Sequence, residues 1–202
     1  MKPDEFIAAL LPGVQNLQIK TGLFSSLTLA QAALETGWGK FIPADKDTGK
    51  VSNNLFGIKG TGPAGSVTCG TEEENPDGSR IKILAQFRAY YNYEECLSDR
   101  YQVLTQSRYD RVREAHTAEE AAKMLYACGY ATDSGYPEKL IGIINQYNLK
   151  KFDQEVKKTA EQWQIDIVKK AKEAGLISED HDPLESVSFW MLCSVALKAM
   201  GK

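Results

Sequence analysis

One stretch constrains this chain more than any other: Ser26-Leu27-Thr28-Leu29-Ala30-Gln31-Ala32-Ala33-Leu34-Glu35-Thr36-Gly37-Trp38-Gly39. It is largely apolar and rich in strong helix formers, so it predicts a short helix buried around most of its circumference. Thr28 and Gln31 have the spacing of an N-terminal capping box, and Gly37 is placed to end the helix. The one acidic residue of the helix, Glu35, stands in its last turn, ahead of Gly-Trp-Gly. The negative end of the helix dipole and an apolar, Trp-lined setting both disfavour a charge there. Together they raise a carboxyl pKa toward what a general acid needs near neutral pH. The plainer alternative is a glutamate turned to solvent or paired with Lys40.

With 202 residues and 43% hydrophobic content, the chain can bury one good core and a small appendage. A net charge of −3, from 24 basic and 27 acidic residues with no long basic run, gives no electrostatic case for a nucleic-acid partner. Cys69, Cys96, Cys128 and Cys193 form no CxxC pair, and His116 and His181 have no ligand-spaced neighbour, so no metal and no cofactor is expected. Cys96 and Cys128 fall in or beside apolar helical patterns, which reads as reduced core thiols made in a reducing compartment. No stretch approaches the roughly 18 apolar residues of a membrane span, and Met1 to Phe6 lacks the pattern of a signal peptide. The expectation is a soluble protein with no membrane partner, made in the cytoplasm and released by other machinery if its substrate lies outside.

Before the central helix, Asp4 is a candidate cap for a helix carrying Phe6, Ile7, Leu10 and Leu11, which Pro12-Gly13 should interrupt. After it, Pro43 to Lys50 reads as a loop. Asn53-Asn54-Leu55-Phe56-Gly57-Ile58-Lys59-Gly60 reads as a tight, side-chain-bonded turn beside a cleft. Val67, Cys69, Thr71 and Glu73 alternate, as do Ile81, Ile83, Ala85 and Phe87, on either side of Asn75-Pro76-Asp77-Gly78-Ser79, which predicts a β-hairpin. Glu72, Glu73 and Glu74 stand near its tip, by default a solvated face. Asn92 with Glu95, and Thr117 with Glu120, are capping pairs for two further helices, the first carrying Cys96, Leu97, Tyr101 and Leu104. Gly129 stops the second. Tyr130-Ala131-Thr132-Asp133-Ser134-Gly135-Tyr136 is a loop, and Pro137 opens a last helix. The polar run Lys150 to Lys158 marks a boundary. Beyond it, one helix around Trp163 and another starting at Asp182-Pro183-Leu184-Glu185 form a pair too small to make a core alone.

Taken in order, Leu29 to Lys40, Asn53 to Gly60, Gln86-Phe87-Arg88-Ala89-Tyr90 and Tyr130 to Tyr136 resemble glycoside hydrolase family 73. These are the bacterial and phage N-acetylglucosaminidases of lysozyme-like fold, among them the glucosaminidase domain of flagellar peptidoglycan hydrolases and many autolysins. The resemblance covers roughly residues 3 to 153. It implies an α+β, mainly helical fold, a lysozyme-like catalytic domain with a β-hairpin lobe over residues 1–153; the two helical patterns beyond the boundary add a small C-terminal module over 154–202. The implied activity is hydrolysis of the β-1,4 bond after N-acetylglucosamine in a peptidoglycan glycan strand.

Carried over residue by residue, the family's catalytic acid falls on Glu35. Its second acidic residue, in a Thr-x-Glu pattern, falls on Glu73 of Thr71-Glu72-Glu73, with Glu74 the alternative. Its active-site tyrosine falls on Tyr130 or Tyr136. Trp38, Asn54, Phe56, Thr132 and Asp133 are the substrate-binding candidates. The chain departs from the family where Thr36 and Phe41 replace expected serines, and Phe41 should alter packing at the end of the Gly-Trp-Gly turn. Rival expectations are a muramidase or lytic transglycosylase on the same scaffold, or a noncatalytic peptidoglycan-binding module. For the tail the expectation is wall binding or self-association, and the missing signal peptide points to an endolysin of phage type over a secreted autolysin.

Overall fold

The computed structural model describes residues 1–74 and 79–153, together with Lys172, Glu173 and Gly175. The chain divides into two compact units, Met1–Val156 and Lys157–Lys202. The helices expected around Trp163 and after Asp182 lie outside the described residues. Among its described residues the first unit is mainly helical with one two-stranded antiparallel sheet, an α+β arrangement of lysozyme-like type. None of the described helices is long and apolar enough to cross a membrane.

Helix α1 spans Pro3–Thr21 and α2 spans Ser25–Thr36. Pro12 does not interrupt α1. Phe6, Ile7, Leu10, Val14 and Leu17 form one continuous buried face across it. Pro12 and Ala8 lie on the exposed side, so the backbone bond that Pro12 cannot make is lost where water can replace it. The N-cap is Lys2 rather than Asp4. Pro3 opens the helix, and the Lys2 N–H donates to the Glu5 carboxylate at 3.1 Å.

Helix α2 is the centre of the unit and packs against α1 and later helices. Leu27, Leu29, Ala30, Ala32 and Ala33 are all at most 1% exposed, as expected of a helix that is apolar all round. Its start is not the predicted capping box. The helix begins a turn earlier, at Ser25, and Thr28 is an interior residue whose hydroxyl donates to the Phe24 carbonyl at 3.1 Å. The first N–H groups are satisfied from a distance instead. Ser25 N–H donates to Gln18 Oε1 at 2.9 Å and Ser26 N–H to Asp153 Oδ1 at 2.8 Å, while Ser26 Oγ donates to Asp153 Oδ2 at 2.5 Å. Burial pushes the Asp153 carboxyl above its ordinary range, and the two Ser26 bonds pull it back in part. Asp153→Ala leaves the Ser26 donors without a partner and should cost about 1–2 kcal/mol, the value of a lost N-cap. Asp153→Asn, which keeps an acceptor, should cost less; thermal unfolding followed by circular dichroism measures both.

Strands β1 (Ser66–Glu74) and β2 (Arg80–Arg88) form the hairpin lobe. The two alternating sets pair face to face: Val67 with Phe87, Cys69 with Ala85, Thr71 with Ile83, Glu73 with Ile81. Val67, Phe87 and Ala89 close the base of the lobe, whereas Leu84 and Ile81 farther out are exposed. The turn before the lobe is built on buried Asn54. Its Nδ2 donates to the carbonyls of Ile58 and Arg88 at 2.8 and 2.9 Å, and its Oδ1 accepts from the N–H groups of Phe56 and Ile58.

Helix α3 (Tyr93–Leu104) starts at Asn92, whose side chain accepts from Glu95 N–H. A 3-10 turn, Ser107–Tyr109, leads into the short α4, Asp110–Arg113. Helix α5 (Ala118–Ala127) starts at Thr117, which accepts from Glu120 N–H. Helix α6 spans Tyr136–Gln146, with Pro137 in its first turn, and a second 3-10 turn covers Leu149–Phe152. The buried face of α3 carries Cys96, Leu97, Arg100 and Leu104. Arg100 thus takes the buried place that the sequence pattern assigned to Tyr101, which is only half-buried.

Candidate active site

Glu35 occupies the penultimate position of α2. The helix stops at Gly37 (φ +53°), whose N–H returns to the Ala33 carbonyl, and the next residue, Trp38, is also left-handed at φ +63°. A tryptophan held in that region stores backbone strain of order 1–2 kcal/mol. What over-determines the turn is visible around it. Thr36 Oγ1 donates to the Ala32 carbonyl at 2.6 Å and accepts from Gly39 N–H at 2.8 Å. The Trp38 ring packs edge-on to Phe6 (5.9 Å) and against Tyr147 (4.4 Å). Gly39 brings the backbone so close to Phe6 that a Cβ there would lie 3.1 Å from its ring.

Two cavities meet at Glu35. The first, about 450 Å³, runs between the turn after α2 and the lobe, with Phe41, Asn54, Cys69, Gly70 and Thr71 among its walls. The second, about 570 Å³, is walled by Phe56, Arg108, Tyr130, Thr132, Asp133 and Tyr136. Both fall in the size range of small-ligand sites. Glu35 is accessible from the cleft, yet protein on both sides removes much of its bulk water. That desolvation is the largest influence on its carboxyl and raises its pKa above the ordinary value; a hydrogen bond from Tyr136 and the charge of Arg100 oppose it.

The structure separates the two tyrosines. Tyr136 is buried; its hydroxyl donates to Glu35 Oε1 at 2.7 Å and accepts from Gln31 Nε2 at 2.9 Å. Tyr130, half-buried, stacks on the Tyr136 ring at 6.3 Å and forms part of the second cavity's wall. Burial raises both phenol pKa values, so both hydroxyls are neutral donors at any working pH.

The remaining predicted residues have distinct places. Asn54 touches the first cavity, but its side-chain N and O are committed to the four backbone bonds of its turn. Phe56 is buried, faces the second cavity and lies under the Arg100 guanidinium at 4.9 Å. Thr132 and Asp133 are on the exposed rim, where Asp133 accepts from Gly135 N–H and from Lys139 Nζ at 2.6 Å. Trp38 is in the wall of neither cavity; its ring serves packing against Phe6 and Tyr147. Glu73 is paired with Ile81 in the sheet register, two residues beyond Thr71 of the first cavity's wall. Phe41 lies against Gly37, where a Cβ would come within 2.8 Å of its ring, and it remains 74% exposed at the cleft.

Sequence reasoning missed two participants. Gln31 was read as half of a capping box, and Arg100 was passed over. Arg100 left a signal: a charge on the Cys96-Leu97-Leu104 face of α3, at helical spacing, where a buried side chain was due. Among the described residues no group of three His, Cys, Asp or Glu side chains could hold a metal ion.

A glutamate at the end of a buried helix, facing a cleft bordered by a two-stranded lobe, defines a lysozyme-like domain of the glycoside hydrolase type. The glucosaminidase family model, described as mannosyl-glycoprotein endo-beta-N-acetylglucosaminidase, matches residues 11–149. The chain belongs to this family, glycoside hydrolase family 73. It is 41% identical over 156 residues to peptidoglycan hydrolase FlgJ of Escherichia coli K12, covering 76% of this chain and 49% of that protein. It is 37% identical over 155 residues to the exo-glucosaminidase LytG of Bacillus subtilis, covering 74% of this chain and 53% of LytG. The chain thus spans about half the length of these curated relatives. The crystal structure of the catalytic domain of the autolysin Auto from Listeria monocytogenes superposes with a TM-score of 0.64 at 36% identity, over 75% of this chain and 87% of that one.

Proposed function

We propose that this protein is a peptidoglycan hydrolase, an endo-β-N-acetylglucosaminidase that cleaves the β-1,4 bond after N-acetylglucosamine in the glycan strand. The observation that carries the reading is Glu35: a carboxyl open to the cleft and partly desolvated, held by Tyr136, at the meeting point of two cavities. A glycan laid through both cavities presents its scissile bond at that carboxyl. The raised pKa keeps a larger share of Glu35 protonated than an ordinary glutamate would have. It protonates the departing glycosidic oxygen as the bond to the anomeric carbon breaks, and water adds to the oxocarbenium-like centre. The substrate class is supported by the relatives' names, a peptidoglycan hydrolase, an exo-glucosaminidase and an autolysin.

Two further roles belong to this reading. Tyr136 has its hydroxyl committed to Gln31 and Glu35, which leaves Tyr130 as the cleft tyrosine available to orient the substrate's 2-acetamido group. Glu73 is the second carboxylate, on the strand that continues from the first cavity's wall. Its loss should impair turnover less than loss of Glu35.

Purified peptidoglycan digested with the protein, reduced with borohydride and analysed by mass spectrometry tests the reading. A reduced N-acetylglucosamine end is expected. Reduced N-acetylmuramic acid would make the protein a muramidase and an anhydro end a transglycosylase. No new end on several wall types would leave a binding module.

A further inference from the structure

Arg100 is 0% exposed, the largest fully buried side chain among the described residues. A guanidinium in such a place is expensive unless its donors are matched, and among the described residues no carboxylate accepts from it. Its Nε donates to Gln31 Oε1 at 2.8 Å, one terminal nitrogen donates to the same oxygen, the other reaches Thr28 Oγ1 at 3.4 Å, and its plane covers Phe56. A guanidinium has donors only. Gln31 must therefore turn its oxygen toward Arg100 and its NH₂ toward Tyr136. The phenol oxygen, accepting from that NH₂, has its own hydrogen left for Glu35. Every hydrogen bond from Arg100 to Glu35 points the same way, and the direction is imposed at the arginine.

We propose that Arg100 and Gln31 are positioning residues for Glu35. The guanidinium fixes the Gln31 amide, the amide fixes the Tyr136 hydroxyl, and the hydroxyl keeps Glu35 Oε1 an acceptor in both ionisation states. The carboxyl proton is then carried on Oε2, from which it passes to the glycosidic oxygen as that oxygen leaves the anomeric carbon. This rests on the reading of Glu35 as the acid. The arrangement also explains why a whole charge is buried beside the cleft: it offsets part of the desolvation of the Glu35 carboxylate, as the opposed influences on that group indicate.

Other titratable and charged groups line the two cavities that Glu35 borders. Lys40 and Cys69 border the first cavity, and Arg108, Tyr109, Tyr130 and Asp133, the last held by Lys139, border the second. None of them is bonded to Gln31, so a change at Gln31 leaves them in place.

Gln31→Glu is the sharp test. It is nearly isosteric and gives Arg100 an ion pair, so the fold should be kept. It offers Tyr136 only acceptors, so the hydroxyl turns away from Glu35. The expected result is a folded protein with kcat lower by about 10–100-fold, the scale of a lost charge-assisted hydrogen bond, and an alkaline limb of the pH profile moved to higher pH. Replacing the pair by Met at both positions, Gln31→Met with Arg100→Met, keeps volume without polar atoms and leaves the Tyr136 hydroxyl unsupported but still able to donate to Glu35. It should lower kcat less than Gln31→Glu and still move the alkaline limb to higher pH, because the Arg100 charge that opposes the raised Glu35 pKa is gone. Wild-type kcat and an unmoved limb in a folded variant would overturn the proposal. Failure of both variants to fold would also overturn it, by assigning the pair to the core alone. Glu35→Gln, run in parallel, separates the readings: if it is active, the acid assignment itself falls; if it is inactive beside a normal Gln31→Glu, only the relay does.

Discussion

Glu35→Gln is expected to fold, to unfold at a higher temperature than the parent at neutral pH, and to lose nearly all turnover. The loss should be about 10²–10⁴-fold in kcat, the contribution of a positioned general acid; release of reducing ends from peptidoglycan measures it. The gain in stability follows from the same desolvation that equips the residue for its role. Because the folded carboxyl has a pKa above its ordinary value of 4.5, the stability it contributes is complete below that value. That stability is lost as pH rises through the raised folded value. Glutamine does not titrate. Above the window the variant should melt later than the parent, and below it the two curves should converge. A variant that is inactive and less stable at pH 7 would mean that the carboxylate is well accommodated, against the geometry of the cleft.

Tyr136→Phe should produce the second-largest effect. It removes the 2.7 Å bond to Glu35 and strands the Gln31 NH₂ inside the core. The first loss should lower kcat by about 10–100-fold, and the second should cost about 1–3 kcal/mol of stability. The bond lowers the Glu35 pKa, so its removal should raise that pKa and move the alkaline limb of the activity profile to higher pH. Tyr130→Phe leaves the relay whole; it should retain the parent's alkaline limb and lose activity through substrate orientation. A Tyr136→Phe protein with normal kcat and an unmoved alkaline limb would remove Tyr136 from the support of Glu35, and a Tyr130→Phe protein with a shifted limb would give that place to Tyr130.

Much of the fold was legible because the signals involved are local. Asn92 with Glu95 and Thr117 with Glu120 sit three residues apart and cap the helices they announce. Gly37 ends α2 in the left-handed region, and the period-two sets of the hairpin are cross-strand partners. Glu35 itself was legible as an isolated acid on an apolar helix. What stayed hidden depends on residues distant in sequence. The partners that cap α2 are Gln18 and Asp153, so Thr28 and Gln31 looked like a cap that the helix does not use. Pro12 looked like a break, because nothing local says that it faces water while Leu10 and Val14 face the core. Trp38 looked like a cleft wall until its left-handed backbone aimed the ring at Phe6 and Tyr147. Arg100 was passed over because a charge on an apolar stripe has no meaning until the partner helix supplies Gln31.

The long-range cap on α2 has a consequence for synthesis. The acceptor that closes the start of the central helix is attached 127 residues after the donor it serves. At a ribosomal rate of about 5–20 residues per second, the segment that bears Glu35 waits roughly 6–25 s with the Ser26 donors of its first turn unpaired. During that interval its apolar faces lack α6 and the Leu149–Phe152 turn, both of which pack on it in the finished unit. For a nascent chain the central helix is therefore among the early elements to be made and among the last to be secured, and a chain released before residue 153 carries Glu35 on a helix held at its start by Gln18 alone, with the Ser26 donors unpaired.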